Sequence, residues 1–382
     1  MTKLEELIEK LCPDGVEYKE LSEVLTIRNG KDYKHFGEGN VPVYGSGGIM
    51  TYIDTAVYEK PSVLIPRKGS LDKLYFVQEP FWTVDTIFYT DINVDIVEPK
   101  YIFYYLQKEH LEKLNKAGGV PSLTQSVLNK VKLPVPPLEV QREIVRILDN
   151  FTFLSAELAA ELAARQKQYE YYRDLLFLSL KAEYRFIPEF AKTYIGLVTT
   201  MTQHYVKEGV KLLFNSSVKE NHFDFPKMVY LDNEFAEKNS SRMHKLGDII
   251  TVHTGDVGTS AIIDETLEGS LGFATIVTRI YNQEDVLPKY VSYYLNSNEN
   301  KNNIYKLIKG DRNNLNLKDF NKLRVPIPSL EQQQRIVDIL DRFDTLCNDI
   351  TSGLPAEIEM RQKQYEYYRD KLLTFKELKK EA

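Results

Sequence analysis

The decapeptide RQKQYEYYRD occurs twice in this chain of 382 residues, first from Arg165 and again from Arg361. It ends a longer repeat, in which NKVKLPVPPLEVQREIVRILDNFTFL begins at Asn129 and NKLRVPIPSLEQQQRIVDILDRFDTL begins at Asn321. The offset between the copies is 192 residues at Asn129 and 196 at Arg165, so the second copy is four residues longer. Two long copies indicate a tandem duplication, because a solenoid needs three or more short repeats.

Apolar residues recur through both repeats in alternating steps of four and three, which is the spacing of a coiled-coil seam. The pattern predicts a helix from about Pro137 to Leu178. In the second copy two steps of four meet at Leu354, between Gly353 and Pro355. This stutter predicts a kink or restart, with Pro355 at the first helical position. The seam includes Leu148, Phe151, Leu158, Leu162, Tyr169 and Tyr172 in the first copy, and Leu340, Phe343, Leu354, Ile358, Tyr365 and Tyr368 in the second.

Two interpretations of this seam are open. Each helix could pack on the globular part of its own half, or the two long helices could pair with each other. The length of the seam favours pairing. The first helix also contains AELAAELA over residues 156–163. One tetrapeptide adds ~6 Å of helix; the repeat is either a unit for changing spacer length or simply a run of good helix formers.

A variable globular part precedes each repeated segment, and both parts alternate strand-like runs with glycine-rich turns before a helix. The first of these helices is expected over Lys100–Lys116. We therefore predict an α+β fold with two modules of mixed sheets at residues 1–136 and 181–328. The repeated helical segments occupy residues 137–180 and 329–382 and are predicted to form a coiled coil.

The turns of both modules carry side chains suited to nucleic acid. Arg, Lys and Asn can bond base edges, while Ser, Thr and backbone amides bind phosphates. Any one of these residues, taken alone, is more consistent with a solvated loop; together, on scaffolds in both halves, they predict a recognition surface. The candidates are Arg28, Asn29, Lys31, Lys34, Tyr44, Ser46, Arg67, Lys68 and Ser70 in the first module, and Asn215, Ser216, Lys219, Asn221, His253, Thr254, Thr259, Lys309, Arg312 and Asn313 in the second.

Common catalytic motifs are not found in the sequence. It has no Walker phosphate loop and no HExxH motif, and its two cysteines have no metal-ligand spacing. No run approaches eighteen apolar residues, and the first residues lack a signal-peptide pattern, so a cytoplasmic protein with no membrane contact is expected. The net charge of −6 argues against a protein that coats DNA by bulk electrostatics, but leaves local basic loops possible.

The paired segments LPVPPLEVQREIVRILD and VPIPSLEQQQRIVDILD, each followed by a long helix and RQKQYEYYRD, resemble the specificity subunit of type I restriction-modification enzymes. The resemblance covers essentially the whole chain. It implies a non-catalytic subunit whose two target recognition domains each read one half of a split double-stranded DNA site. It further implies an antiparallel coiled coil with internal pseudo-twofold symmetry, which sets the gap between the half-sites.

The implied partners are two modification (methyltransferase) subunits and two restriction (translocase and nuclease) subunits. No cofactor is expected in this chain; S-adenosylmethionine, ATP and Mg²⁺ are expected on those partners. The strong difference between the modules predicts an asymmetric site. The alternative is a coiled-coil adaptor or scaffold that binds other proteins without DNA specificity, and the acidic net charge mildly favours it.

Overall fold

The computed structural model describes residues 2–115, 121–308, 313–349 and 351–378. The chain divides into two compact units, of which unit 1 comprises Met1–Leu158 and Ile358–Ala382 and unit 2 comprises Ala159–Glu357. Each unit therefore contains one globular module together with parts of both repeated helical segments.

Unit 1 contains an α+β module. Its helices before the first repeated helix are α1 (Lys3–Leu11), α2 (Leu21–Val24), α3 (Pro99–Lys108) and α4 (Gln125–Leu128), with a 3₁₀ turn at Leu111–Leu114. Its strands are β1 (Glu17–Glu20), β2 (Leu25–Asn29), β3 (Val41–Gly45), β4 (Gly48–Ile53), β5 (Ser62–Pro66), β6 (Tyr75–Val77), β7 (Trp82–Thr83), β8 (Ile87–Ile92) and β9 (Lys132–Val135).

These strands form three sheets. The largest is antiparallel with the order β2-β8-β5-β6, and a second sheet has the order β4-β3-β7 with a parallel β3–β7 pair. Strands β1 and β9 pair separately, with Glu17 opposite Val135. The fully buried strand β5 reads SVLIP, as expected for a strand covered on both faces.

Helix α3 carries the sequence PKYIFYYLQK and buries most of its surface in the core of unit 1. Proline at its first position has the helical φ angle preset. The expected extent, Lys100–Lys116, was wrong at its end: α3 stops at Lys108 because His110 adopts a left-handed φ of 51°. Residues 116–120 lie outside the described residues.

Unit 2 repeats this plan with additional strands. Its helices are α6 (Ile187–Phe190), α7 (Asn233–Lys238), α8 (Pro288–Leu295), α9 (Asn298–Leu307) and α10 (Leu317–Phe320), with 3₁₀ turns at Thr202–His204, Asn215–Ser217 and Ser240–Arg242. Its strands are β10 (Glu183–Phe186), β11 (Ala191–Ile195), β12 (Tyr205–Val206), β13 (Val210–Phe214), β14 (Val218–Lys219), β15 (His222–Phe223), β16 (Val229–Leu231), β17 (Ile249–Thr251), β18 (Ser260–Ile262), β19 (Leu271–Phe273), β20 (Ile276–Ile280) and β21 (Arg324–Ile327).

The sheets of unit 2 correspond to those of unit 1. The order β11-β20-β17-β18 matches β2-β8-β5-β6, and β10 pairs with β21 as β1 pairs with β9. A further sheet, β12-β16-β13-β19, contains the parallel pair β13–β19. Mixed sheets in both modules confirm the predicted α+β class.

The repeated segments are helical. Helix α5 spans Leu138–Leu178, 41 residues, and passes from unit 1 to unit 2 after Leu158, which confirms the prediction for the first copy. The second copy forms α11 (Leu330–Asn348) and α12 (Leu354–Leu372), so the predicted break is also confirmed. Pro355 occupies the second helical position, one residue later than expected.

Close packing explains the glycine at this break. A β-carbon at Gly353 would lie 2.5 Å from the carbonyl oxygen of Thr345, so only glycine fits between the two helices. The carboxylate of Asp349 accepts hydrogen bonds from the hydroxyl groups of Ser352 and Thr351, which hold the pKa of Asp349 at about 2. These bonds connect the side chains of residues 349, 351 and 352 at the break.

Candidate nucleic-acid interface

In unit 1, the loop after β5 is held by a second loop that precedes α4. The amide of Leu123 donates to the carbonyl of Arg67 at 2.9 Å, the amide of Gly69 donates to Pro121 at 3.1 Å, and Lys68 lies opposite Ser122 in a β-bridge. Gly69 has a φ of +84°, which favours glycine. Two loops that hydrogen-bond to each other present the candidates Arg67, Lys68 and Ser70 on a fixed backbone.

The basic side chains of this loop are restrained but reach solvent. The Lys68 ammonium lies 3.7 Å from the Asp85 carboxylate, and the Lys68 side chain is 47% exposed. The Arg67 guanidinium lies 5.7 Å from the centre of the Phe88 ring and donates to the carbonyl of Asp85 at 3.5 Å. Such weak, exposed contacts leave both cations available for phosphate groups.

The turn between β3 and β4 lies against the same loop. The Ser46 amide donates to Thr86 Oγ1 at 3.3 Å, and the Ser46 carbonyl accepts from the hydroxyl of Tyr75 at the same distance. A β-carbon at Gly69 would lie 3.4 Å from Ser46 Oγ. The structure therefore brings Ser46 beside Arg67–Ser70. Tyr44 packs on Tyr75, with ring centres 5.8 Å apart, and burial raises the pKa of Tyr44.

The remaining candidates of the first module lie along the end of β2 and the loop after it. Arg28 pairs with Asp91 at 3.5 Å, and Asn29 is exposed at the end of the strand. The backbone of Lys31 bonds to Thr83 and to the indole of Trp82, which leaves its side chain exposed. Lys34 is exposed beyond a turn closed by the Asp32 carboxylate.

Unit 2 contains the same pair of loops with different side chains. The amide of Leu315 donates to the carbonyl of His253 at 2.9 Å, Gly255 donates to Asn313 at 3.3 Å, and Thr254 lies opposite Asn314 in a β-bridge. These contacts repeat those of Leu123, Gly69 and Lys68 in unit 1. Exposed Thr254 therefore occupies the place of Lys68, and exposed Asn313 occupies the place of Pro121 in the second loop.

Other candidates of the second module have structural partners. Asn215 accepts from the amide of His253 at 3.0 Å and donates to the carbonyl of Ala274 at 3.2 Å, so its side chain ties two loops together. Thr259 is buried and donates to Asp256, which places it beneath the loop surface. Ser216 and Lys219 are exposed beside a groove of about 660 Å³. Lys309 and Arg312 lie outside the described residues.

Asn221 connects the second module to the repeated helix. It has a left-handed φ of 62°, donates to the Tyr169 hydroxyl at 3.0 Å and accepts from Asn296 at 2.9 Å. Next to it, Glu220 accepts from the buried guanidinium of Arg173 at 2.9 Å and also pairs with Lys301. Sequence reasoning missed Arg173 and Glu220, because nothing in a single sequence marks a pair separated by 47 residues.

Equivalent contacts between module and helix in the two units use duplicated residues. In unit 1 the Gln141 side chain accepts from the amide of Glu98 and donates to the carbonyl oxygens of Ile96 and Pro136. In unit 2 Gln333 makes the three equivalent bonds. These buried amide groups cap the start of α3 and of α8, and fix each helical segment to its module. The glutamine is shared by both repeats, and that was the only sequence signal for this role.

The predicted seam residues make aromatic contacts between the two repeats within each unit. In unit 1 the Phe151 and Tyr368 rings stack, and in unit 2 the Phe343 and Tyr172 rings stack. Tyr169 lies 6.3 Å from Phe343, and its counterpart Tyr365 donates to Gln107. The others are buried or partly buried: Leu148, Leu340 and Leu354 are buried, and Leu158, Leu162 and Ile358 are partly buried. The repeats thus pair with each other as well as with their modules.

A second face of the decapeptide is directed to solvent in both copies. Tyr171 is 63% exposed and Tyr367 is 62% exposed. The other exposed positions of this face are Gln166, Lys167 and Glu170 in the first copy, and Gln362, Lys363 and Glu366 in the second. Positions i, i+1, i+4 and i+5 of a helix lie side by side, so these residues form one continuous surface, which we call the QKEY face.

Two other kinds of feature are absent from the residues that the structure describes. Within residues 2–115, 121–308, 313–349 and 351–378, no cluster of three or more His, Cys, Asp or Glu side chains could hold a metal ion. Over the same residues, no helix has the length and apolar character needed to cross a membrane.

Known proteins resemble the chain over nearly its whole length. The family profile described as "Type I restriction modification DNA specificity domain" matches residues 13–164 and 206–360. The putative type I restriction enzyme specificity subunit S.HindORF215P of Haemophilus influenzae is 33% identical, over 98% of each chain. The EcoR124I/EcoR124II specificity subunit of Escherichia coli is 35% identical, over 72% of this chain and 70% of that protein.

Solved structures share the fold. A structure described as the basis of complex assembly and conformational transition of the type I R-M system has a TM-score of 0.63 at 17% identity, over 95% of this chain and 98% of the other. The type I restriction-modification S subunit from M. genitalium has a TM-score of 0.56 at 15% identity, over 94% and 96%.

Proposed function

Because the chain belongs to the family of type I restriction-modification DNA specificity subunits, we propose that each of its modules reads one half of an asymmetric, bipartite DNA site. A specificity subunit is the non-catalytic DNA-recognition component of such a system. The observation that carries the proposal is the pair of bonded loops that recurs in both units with different side chains.

Different chemistry on the same backbone frame implies different half-sequences. The loop of unit 1 offers two cations, Arg67 and Lys68, which suit phosphate oxygens and the acceptors of guanine. The corresponding positions of unit 2 are His253 and Thr254, which are uncharged donors and acceptors once burial has lowered the pKa of His253. A hydroxyl and a neutral imidazole select a different pattern of base edges.

The repeated helices have two roles in this proposal. Paired in antiparallel orientation, they set the length of the unspecified gap between the half-sites, with the AELA repeats of α5 as the adjustable part. They also dock two copies of the modification subunit. Support for docking comes from the QKEY face, whose residues are identical in the two copies although the modules have diverged. Identical exposed faces suit two identical partners.

The chemistry belongs to the partners. In this proposal S-adenosylmethionine binds to the modification subunits, which methylate an adenine that has been flipped out of the duplex. ATP and Mg²⁺ bind to two restriction subunits. The recognition chain supplies position and sequence choice, and the partners supply much of the positive surface around the DNA, which is consistent with its net charge of −6.

The direct test is co-expression with the modification subunit and mapping of N6-methyladenine in the host DNA by long-read sequencing. We expect one split, asymmetric motif, methylated on both strands and missing when this chain is left out. Exchange of residues 181–328 for the second module of a relative should change only one half of the motif. A stable complex that adds no methylation, or a change in both half-sequences, would contradict the proposal.

A further inference from the structure

Strand β4 exposes large apolar side chains at the edge of a sheet. Ile49 is 49% exposed, Met50 is 58% exposed and Tyr52 is 51% exposed, and β4 is an outer strand of the sheet β4-β3-β7. Exposed apolar edge strands invite association with other chains, so soluble proteins usually protect them with charges or proline. A cluster of this kind marks a surface that contacts another molecule.

A β-bulge produces the cluster. Val43 lies opposite Thr51, and Tyr44 lies opposite Ile49, so Met50 is an extra residue in β4 without a partner in β3. In a regular strand, neighbouring side chains point to opposite faces, and only one of Ile49 and Met50 would face solvent. The bulge turns both outward, and bulges beside functional sites commonly redirect side chains in this way.

The apolar tip adjoins the basic loop of unit 1. A β-carbon at Gly45 would lie 2.7 Å from Met50 Sδ and 3.5 Å from Thr86 Oγ1, so these two side chains meet above Gly45. The carbonyl oxygen of Thr86 accepts from the amides of Arg67 at 2.9 Å and Lys68 at 3.2 Å. The apolar tip of the hairpin therefore lies beside a loop that carries two cations.

We propose that Ile49 and Met50 contact the C5-methyl group of a thymine in the half-site read by the first module. The major groove admits a two-stranded β-ribbon, and the thymine methyl is its apolar feature, distinguished there by apolar side chains. Arg67 and Lys68, beside the tip, suit the flanking phosphates, which favours DNA over a protein as the occupant. This inference rests on the proposed function. A half-site that contains a methylatable adenine also contains a thymine opposite it.

The test uses the complex of the full chain with its modification subunit and duplexes in which uracil replaces thymine in one half-site at a time. Uracil lacks only the methyl group. With uracil in the half-site that the first module reads, we expect the wild-type complex to bind about fourfold more weakly than it binds the thymine duplex. This is the loss expected for one buried methyl group. With uracil in the other half-site, this loss is not expected. The double variant Ile49→Ser/Met50→Ser should bind thymine and uracil duplexes equally. Val94→Ser, at another exposed residue of unit 1, should retain the discrimination.

Three results would overturn the inference. The wild-type complex could bind thymine and uracil duplexes equally in both half-sites, or the double variant could keep the discrimination. Third, the double variant could fail to bind the modification subunit, which would identify the tip as a protein contact. If the wild-type complex binds no duplex specifically, the proposed function itself fails. Native mass spectrometry of each complex and circular dichroism of each variant separate these results from misfolding.

Discussion

Phe151 stacks on Tyr368 in unit 1, with ring centres 5.5 Å apart and planes inclined by 24°. Phe343, which occupies the place of Phe151 in the second repeat, stacks on Tyr172 in unit 2 at 5.8 Å and 27°. The start of each repeated helical segment thus contacts the end of the other repeat. Each of these aromatic residues therefore has its stacking partner in the other copy.

The first prediction concerns this stack. Phe151→Ala and Tyr368→Ala should each destabilise unit 1, and the double variant should lose less than the sum of the two. We expect a coupling energy of about 1 kcal/mol, because stacked aromatic pairs contribute about that much beyond the area they bury. Urea denaturation followed by the fluorescence of Trp82, the single tryptophan of the chain, reports on unit 1. Phe153→Ala, at a residue 62% exposed on the same helix, is the control. Strict additivity would contradict the prediction.

The second prediction uses the duplication as its own control. Arg173 and Arg369 occupy the same position of the decapeptide, and each guanidinium lies over a tyrosine ring, at 5.4 Å from Tyr169 and 5.7 Å from Tyr365. The Arg173 side chain is 2% exposed and pairs with its neighbour Asp174 and with Glu220 of the second module. The Arg369 side chain is 10% exposed and pairs with its exposed neighbour Asp370.

Removal of a buried ion-pair partner is costly, because the other charge remains. We expect Arg173→Met to lower the free energy of unfolding by about 2 kcal/mol, since Glu220 keeps Lys301 as a partner. Arg369→Met should cost less than about 1 kcal/mol, because Asp370, the partner left behind, is exposed to water. Circular dichroism during urea denaturation, with hydrogen exchange over residues 215–225 as the local readout, compares the variants. Equal losses at the two arginines would show that the pair with Glu220 contributes nothing.

The third prediction is a dependence of stability on pH in unit 2. His244 is buried, its Nδ1 lies 2.9 Å from Ser270 Oγ, and its Nε2 has no hydrogen-bond partner within the described part of the chain. Burial lowers the pKa of His244 from 6.5 to about 4, with Asp248 opposing the shift and Arg279 adding to it. The contribution of the neutral, buried His244 to the free energy of unfolding is therefore complete above about pH 6.5, and it is lost as the pH falls towards 4.

Between pH 7 and pH 5 we expect the unfolded state to gain about 2 kcal/mol from protonation of this imidazole. His244→Gln keeps a polar group for Ser270 but cannot take up the proton. The stability difference between wild type and His244→Gln should therefore shrink or reverse by that amount between the two pH values. The same difference at both would mean that His244 takes up its proton as readily in the folded protein as in the unfolded one, which would contradict the prediction. Urea denaturation in matched buffers provides the measurement.

The sequence predicts the features that depend on local periodicity. The step pattern through Phe151 predicts α5, and the stutter at Leu354 predicts the break that Gly353 allows. Features that depend on distant partners are not visible in one sequence. Asn221 reads as an exposed loop residue until Tyr169 and Asn296 are seen to bind it. The loops at Arg67 and His253 share a backbone frame although their side chains differ. Backbone hydrogen bonds define this frame, and they do not depend on which side chains the loops carry.

The fourth prediction concerns the spacer. Deletion of residues 156–159 removes one AELA unit from α5 at the junction of the two units, and shortens the helix by about 6 Å. The helix keeps nearly the same phase, because four residues approximate one turn. We expect the gap of the methylated motif to shorten by about one base pair, with both half-sequences unchanged. Methylation mapping checks this, and Glu157→Gln, which keeps the length, is the control. Methylation at the original spacing would contradict the proposal that the AELA repeats set the length of the gap.

The fifth prediction concerns the QKEY face. A tyrosine more than 60% exposed on a helix contributes little to the fold, so Tyr171→Ala and Tyr367→Ala should leave stability almost unchanged. Tyrosine is enriched among residues that dominate binding energy at interfaces, and its loss there commonly weakens binding by more than tenfold. Each single variant should therefore bind one modification subunit at concentrations where the wild type binds two, and the double variant should bind none.

Native mass spectrometry of complexes titrated with the modification subunit gives these stoichiometries directly. Tyr281→Ala is the matched control, because Tyr281 is 65% exposed in unit 2 but lies outside the duplicated helices. If the wild type and both single variants each bind two subunits, the docking surface lies elsewhere on the repeated segments. The specificity role would be unaffected by that result. One subunit on each single variant means that the two faces act independently, so the duplication of the decapeptide is a duplication of a binding site.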